Sequence, residues 1–183
     1  MRVYIAIDFE DYVKNYLDKI TSSIKSHCSE GSFTEKNNFH LTIRFIGEAD
    51  DVQISKIKEV IDRSVLKVSP FKLLLSNLGI FKRKKTNILW LGIAENPVLN
   101  ELSKELSTLL NQGKIPFYDK GFMPHITLGR RVLFPTDSIE LNNLIEFDII
   151  TIPVKAITLM ASKEENGKLN GVPIYEVKLK ELS

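Results

Sequence analysis

His40-Leu41-Thr42-Ile43 and His125-Ile126-Thr127-Leu128 are two copies of one pattern: His, apolar, Thr, apolar. Side chains alternate across a strand, so the His and Thr of each copy share one face and the two apolar residues the other. Each stretch reads as a strand with its apolar side on a core and an imidazole and a hydroxyl on its open side. The chain holds three His, and two of them carry a Thr two positions on. One copy alone reads as a half-buried strand with a satisfied histidine. Two copies in matched settings point to a shared site.

Working outward from the first motif, a strand is expected over 39–46, with His40, Thr42 and Arg44 in line on its open face. Gly47 ends it, and Asp50-Asp51 open a helix whose apolar stripe is Ile54, Ile57, Val60 and Ile61. Upstream, residues 2–7 alternate as a strand. Asp8 is expected to cap a helix that runs to about residue 26 and carries Val13, Leu17, Ile20 and Ile24 inward. Downstream, Pro70 restarts an extended segment with Phe71, Leu73 and Leu75 on one face, and 88–93 reads as a strand. Asn96-Pro97 start a helix striped by Leu99, Leu102, Leu106, Leu109 and Leu110. Pro124 forces Met123 into an extended conformation and so sets up the second motif strand. A short helix over 137–145 and strands over 151–161 and 172–179 complete the chain, with turns at Asn166-Gly167 and Asn170-Gly171. Each half places a His-x-Thr strand after a helix, the pattern of a divergent duplication. The expected class is α+β, with two pseudo-symmetric lobes, each an antiparallel sheet backed by helices, in one domain over 1–183.

Apolar residues make up 43% of the 183, ample for a core, and the net charge is +2. That mildly basic balance is compatible with an RNA or nucleotide ligand without requiring one. The single Cys28 rules out an internal disulfide and suits a reducing compartment. Asp8 interrupts the N-terminus before any long apolar run, so no signal peptide is expected. No apolar stretch approaches the ~20 residues that span a membrane. A soluble cytoplasmic protein is expected. His27 reads as a solvated histidine at a helix end, and Cys28 as an inert thiol. The run Lys82-Arg83-Lys84-Lys85 reads as a solvated hairpin loop or as an RNA-backbone contact.

Histidine is the side chain that gives or takes a proton near neutrality, and two facing imidazoles can work as an acid and base pair. Two hydroxyls beside them suit the non-bridging oxygens of a phosphate. Neither motif contains Asp or Glu and no His/Cys cluster is present, so no metal is expected. No Gly-rich phosphate loop is present either, and no cofactor is expected. The constellation suits metal-free phosphoryl chemistry.

The motifs resemble those of the two-histidine phosphoesterases, most closely the RNA 2',3'-cyclic phosphodiesterases, also called 2'-5' RNA ligases (LigT-like). Met1-Arg2-Val3-Tyr4-Ile5-Ala6-Ile7 is similar to that family's first strand. Asn38 to Glu48 is similar to its first signature, Leu89-Trp90-Leu91-Gly92 to a central strand, and Phe122 to Arg130 to its second signature. The resemblance runs through nearly the whole chain in order. It implies a central groove between the lobes that carries both motifs. It implies hydrolysis of a 2',3'-cyclic phosphate end of RNA to a 2'-phosphate, with His40 as proton donor and His125 as proton acceptor. It implies that Thr42, Thr127 and Arg130 bind the phosphate. Strict alternation aims Arg130 at the opposite face, and a bulge at Gly129 would re-aim it. Arg44 reads either as a ligand or as support for one, and Tyr4 either as a base-stacking platform or as an ordinary groove-lining aromatic. The expected partner is RNA or a nucleotide with a cyclic phosphate end, met by a monomer. The alternatives are 2'-5' ligation or 2'-5' oligonucleotide cleavage at the same site, and a non-catalytic nucleotide-binding module.

Overall fold

In the computed structural model, which describes residues 1–82, 87–134, 138–165 and 167–181, the first strand, β1 (Arg2–Asp8), is buried on both faces. Val3, Ile5 and Ile7 join the main apolar core with the helices, while Tyr4 and Ala6 pack with Met160 and Phe45 on the opposite face. After β1 come α1 (Asp11–Lys25), β2 (Glu30–Phe33), a 3-10 turn (Lys36–Asn38), β3 (His40–Glu48), α2 (Asp51–Ser64), β4 (Phe71–Phe81) and β5 (Asn87–Ile93). Then follow α3 (Pro97–Gln112), β6 (His125–Leu133), α4 (Ser138–Leu144), β7 (Thr151–Val154), β8 (Ala156–Glu165) and β9 (Lys168–Lys178). Arg83, Lys84, Lys85 and Asn166 lie outside the described residues.

The three long helices bury the stripes that their spacing predicts. Leu106 of α3 is fully enclosed; truncating such a leucine to alanine costs about 2–5 kcal/mol through lost burial and the cavity left behind. Helix α2 starts on a reciprocal cap: Asp50 accepts from Gln53 N at 2.8 Å and Gln53 accepts from Asp50 N at 3.0 Å. Asn96 caps α3 by accepting from Leu99 N at 2.9 Å, with Pro97 in the first turn. Asp8 is not the cap expected for α1. The cap position is Glu10, and Asp8 ends β1, where it accepts from Phe9 N at 2.9 Å and pairs with Lys14 at 2.7 Å.

The strands form one nine-stranded sheet in the order β7-β4-β5-β6-β3-β1-β8-β9, with β2 added to β6, and every pairing is antiparallel. The order is palindromic about the β6–β3 junction. β3 answers to β6, β1 to β5, β8 to β4 and β9 to β7, so the α+β duplication is present as two four-strand halves. The halves are not separate sheets, because each repeat lends a strand to the other: β4, which follows α2, pairs with β5, and β8, which follows α4, pairs with β1. That exchange splits the expected strand over 151–161 at Lys155. The part before it pairs with β4 and the part after it with β1. No helix among the described residues is long and apolar enough to cross a membrane.

Candidate active site

The junction of the two halves is a single pair, Leu41 opposite Ile126. Each is the apolar residue between the His and Thr of its motif, and both are fully buried on the helix side. In that antiparallel register His40 comes across from Thr127, and Thr42 across from His125. The four polar side chains line one groove of about 920 Å³ on the face away from the main core, together with Tyr4 and Arg130. The motif strands are thus neighbours in one sheet, and the groove they line is walled at one side by Asp18, Thr21, Ser22 and Lys25 of α1.

Both strands carry a bulge at the same place. On β3 the register steps from Thr42 opposite Ala6 to Arg44 opposite Ile5, leaving Ile43 as the extra residue. On β6 it steps from Thr127 opposite Trp90 to Gly129 opposite Leu89, leaving Leu128 extra. An extra residue reverses the alternation beyond it. Arg44 is therefore not on the open face where alternation put it. It is buried on the helix side, donating from Nε to Ser107 Oγ at 2.7 Å and from Nη2 to Ser103 O at 3.0 Å, with its guanidinium over the Phe122 ring at 5.3 Å. It ties β3 to α3 as support. The same step carries Phe45 and Arg130 onto the groove.

Each imidazole is held the same way. His40 Nδ1 lies 2.7 Å from Asn38 O, and His125 Nδ1 lies 2.7 Å from Met123 O. A carbonyl only accepts, so Nδ1 carries the proton and Nε2 is the nitrogen left for chemistry in both rings. Asn38 is itself clamped by the tip of the β8–β9 hairpin: its Nδ2 donates to Asn170 Oδ1 at 2.8 Å and its Oδ1 accepts from Gly171 N at 3.0 Å. Tyr4 stacks on His40 with ring centres 4.9 Å apart. Its hydroxyl fills the space beside Gly171, where an added Cβ would come within 2.3 Å of it. Tyr4 is therefore a buried support for His40, and burial pushes its phenol up to about 12. On the other side, Phe81 meets His125 edge-on at 5.1 Å and Trp90 does so at 6.2 Å.

Burial lowers the pKa of both imidazoles below the ordinary value, and the charge of Arg130 pushes each in the same direction. The two differ in one respect. His40 has the Asp8 carboxylate nearby, which favours its charged form, with Lys14 opposing. His27 is exposed, and the Cys28 thiol is raised to about 11 by burial, as an inert side chain would be. Among the described residues no three His, Cys, Asp or Glu side chains gather as a metal site.

Asp8, Asn38, Phe81 and Asn170 are the neighbours that pattern reading missed. Asp8 looks like a helix cap from its spacing, and Asn38 lies inside the quoted signature without a task. Phe81 and Asn170 reach the histidines only through strand pairing, which no local signal announces.

A model of the 2'-5' RNA ligase superfamily matches residues 11–165. An RNA 2',3'-cyclic phosphodiesterase of Thermotoga maritima is 32% identical over 163 residues, covering 88% of this chain and 87% of that protein. Its counterpart in Methanocaldococcus jannaschii is 32% identical over 184 residues, covering 97% and 98%. In fold, the chain is similar to the crystal structure of Escherichia coli LigT complexed with 3'-AMP, with a TM-score of 0.80 at 22% identity over 98% of each chain.

Proposed function

Since the chain belongs to the 2'-5' RNA ligase superfamily, we propose that its groove hydrolyses 2',3'-cyclic phosphate ends of RNA to 2'-phosphomonoesters, with the two histidines as acid and base. The observation that carries this reading is the pairing of Leu41 with Ile126, which brings two Nδ1-anchored imidazoles to one groove.

His125 Nε2 takes a proton from water as the oxygen attacks phosphorus. His40 Nε2–H gives its proton to the departing 3'-oxygen. The bond from phosphorus to the 2'-oxygen survives, so the product is a 2'-phosphate and a free 3'-hydroxyl. The base leaves the cycle charged and the acid neutral, and exchange with solvent resets both. Each proton transfer is typically worth about 10²–10⁴-fold. Thr42 and Thr127 hold the non-bridging oxygens and Arg130 offsets their charge, the electrostatic share of the catalysis. The asymmetry at Asp8 supports giving the acid's role to His40, because a carboxylate favours imidazolium.

The matching family's description favours one further use of the same site. A 5'-hydroxyl in the place of water would be deprotonated by His125 and, with the 3'-oxygen leaving as before, would form a 2'-5' linkage. The strand exchange supports reading 1–183 as one bilobal domain. An RNA end met by a monomer in the cytoplasm is part of the same proposal. The test is the end product: a short RNA with a cyclic phosphate should yield a 2'-phosphate, and an unchanged substrate would leave only a binding module.

A further inference from the structure

Two described residues other than glycine have positive φ, Lys114 at 54° and Arg131 at 55°. Lys114 takes this conformation as the chain leaves α3, where a left-handed residue is ordinary. Arg131 takes it inside β6, where it is not. Glycine would adopt the conformation freely, yet an arginine occupies it. An outlier of this kind points to a task for the side chain.

The pairing shows what the conformation does. Arg130 lies opposite Ile88 and Val132 opposite Asn87, so Arg131 is an extra residue against β5. In a regular strand, adjacent side chains point to opposite faces. Here Arg130 and Arg131 are both exposed, and both line the groove, while Gly129 and Val132 on either side are buried. Ser32, which pairs with Arg130 from β2, lines the same groove. So does Lys25 from the last turn of α1, with its ammonium 5.9 Å from the Phe33 ring centre. On β5 the partner of Arg130 lies two residues from that of Thr127 and the partner of Val132 three, which puts Arg131 between about 7 and 10 Å along the sheet from Thr127 at ~3.3 Å per residue. That offset leaves room for an anion other than the phosphate at the histidines.

We propose that Arg131, with Lys25 and Ser32, forms a second anion subsite for the backbone phosphate next to the cyclic end, so that the preferred substrate is an oligoribonucleotide rather than a cyclic mononucleotide. The inference rests on the two-histidine reading of the groove. A guanidinium supplies the paired donors that a phosphate accepts, and the ammonium adds a second charge.

The test compares the wild type with Arg131→Gly, which keeps the backbone conformation, and with Lys25→Gln, which leaves the strand untouched. One arm measures binding of a labelled pentaribonucleotide ending in a 2'-phosphate, by fluorescence anisotropy across salt concentrations. The other measures kcat/KM for a pentaribonucleotide and for a mononucleotide, each with a 2',3'-cyclic phosphate. Arg131→Gly is expected to weaken RNA binding about tenfold and to lower the RNA-to-mononucleotide ratio of kcat/KM about as much. The slope of log affinity against log salt is expected to flatten by about 0.7. Lys25→Gln should move all three in the same direction. Wild-type affinity and salt slope in both variants would overturn the subsite. If the wild-type protein cleaves neither substrate, the two-histidine reading fails, and the anisotropy arm still decides for or against Arg131.

Discussion

Asp8 lies opposite His40 where β1 pairs with β3, and the residue opposite His125 at the equivalent place on β5 is Gly92. One imidazole thus has a carboxylate for a neighbour and the other has a residue with no side chain. Between two halves of matching strand order this is a plain chemical difference, and it falls where the proposed acid and base must differ.

Replacing Asp8 with Asn removes the charge that favours imidazolium at His40 and leaves the opposing charge of Lys14 in place. The pKa of His40 should fall further. In a pH profile of kcat/KM, which reports the free enzyme, the alkaline limb should move to lower pH while the acid limb, set by His125, stays. Movement of the acid limb instead would exchange the two roles.

Arg130→Gln acts on both rings. Its positive charge lowers each pKa, so its removal should raise both, and the whole bell should shift to higher pH. Loss of a charged phosphate contact should also lower kcat/KM by about 10–100-fold. A bell that stays in place would remove Arg130 from the neighbourhood of the histidines.

The clamp on Asn38 predicts an effect that passes through His40. Asn170→Ala deletes the bond to Asn38 Nδ2 and loosens the carbonyl that fixes the imidazole. The expected result is a fall of about tenfold in kcat with KM nearly unchanged, since a misaligned proton donor harms the transition state more than binding. Equal losses in kcat and stability-corrected binding would make the hairpin tip merely structural.

The two bulges explain where sequence reading works here and where it fails. The motif strands, the helix stripes and the duplication are legible because period-2 and period-3.6 patterns are written in residue type. Ile43 and Leu128 look like ordinary strand residues, and nothing in them announces that the chain slips. Alternation therefore puts Arg44 on the face that Phe45 lines, and Arg130 reaches the groove only through the bulge. Strand β2 carries no signal of its own, because Glu30-Gly31-Ser32-Phe33 has no apolar alternation and forms by pairing with β6. The split at Lys155 was hidden for the same reason: residues on either side are equally strand-like, and only their partners differ.

Depressed imidazole pKa values also set a slope in stability. Between the lowered folded values and the unfolded value near 6.5, the unfolded chain binds more protons than the folded one, so stability rises with pH across that window. Urea unfolding should give a steady free energy above about pH 7 and a falling one as pH drops below about 6.5. The double variant His40→Ala/His125→Ala should flatten the slope between pH 7 and 5. An unchanged slope would place the rings in solvent.

The central claim is that two imidazoles act on one phosphorus, and the most direct measurement is the product formed from a short RNA ending in a 2',3'-cyclic phosphate, followed with excess EDTA present. The expected result is a 2'-phosphate and a free 3'-hydroxyl from the wild-type protein, with turnover lowered about 10²–10⁴-fold in His40→Ala and in His125→Ala while both variants stay folded. A 3'-phosphate product, activity that EDTA abolishes and a divalent metal restores, or full turnover in either variant would contradict it.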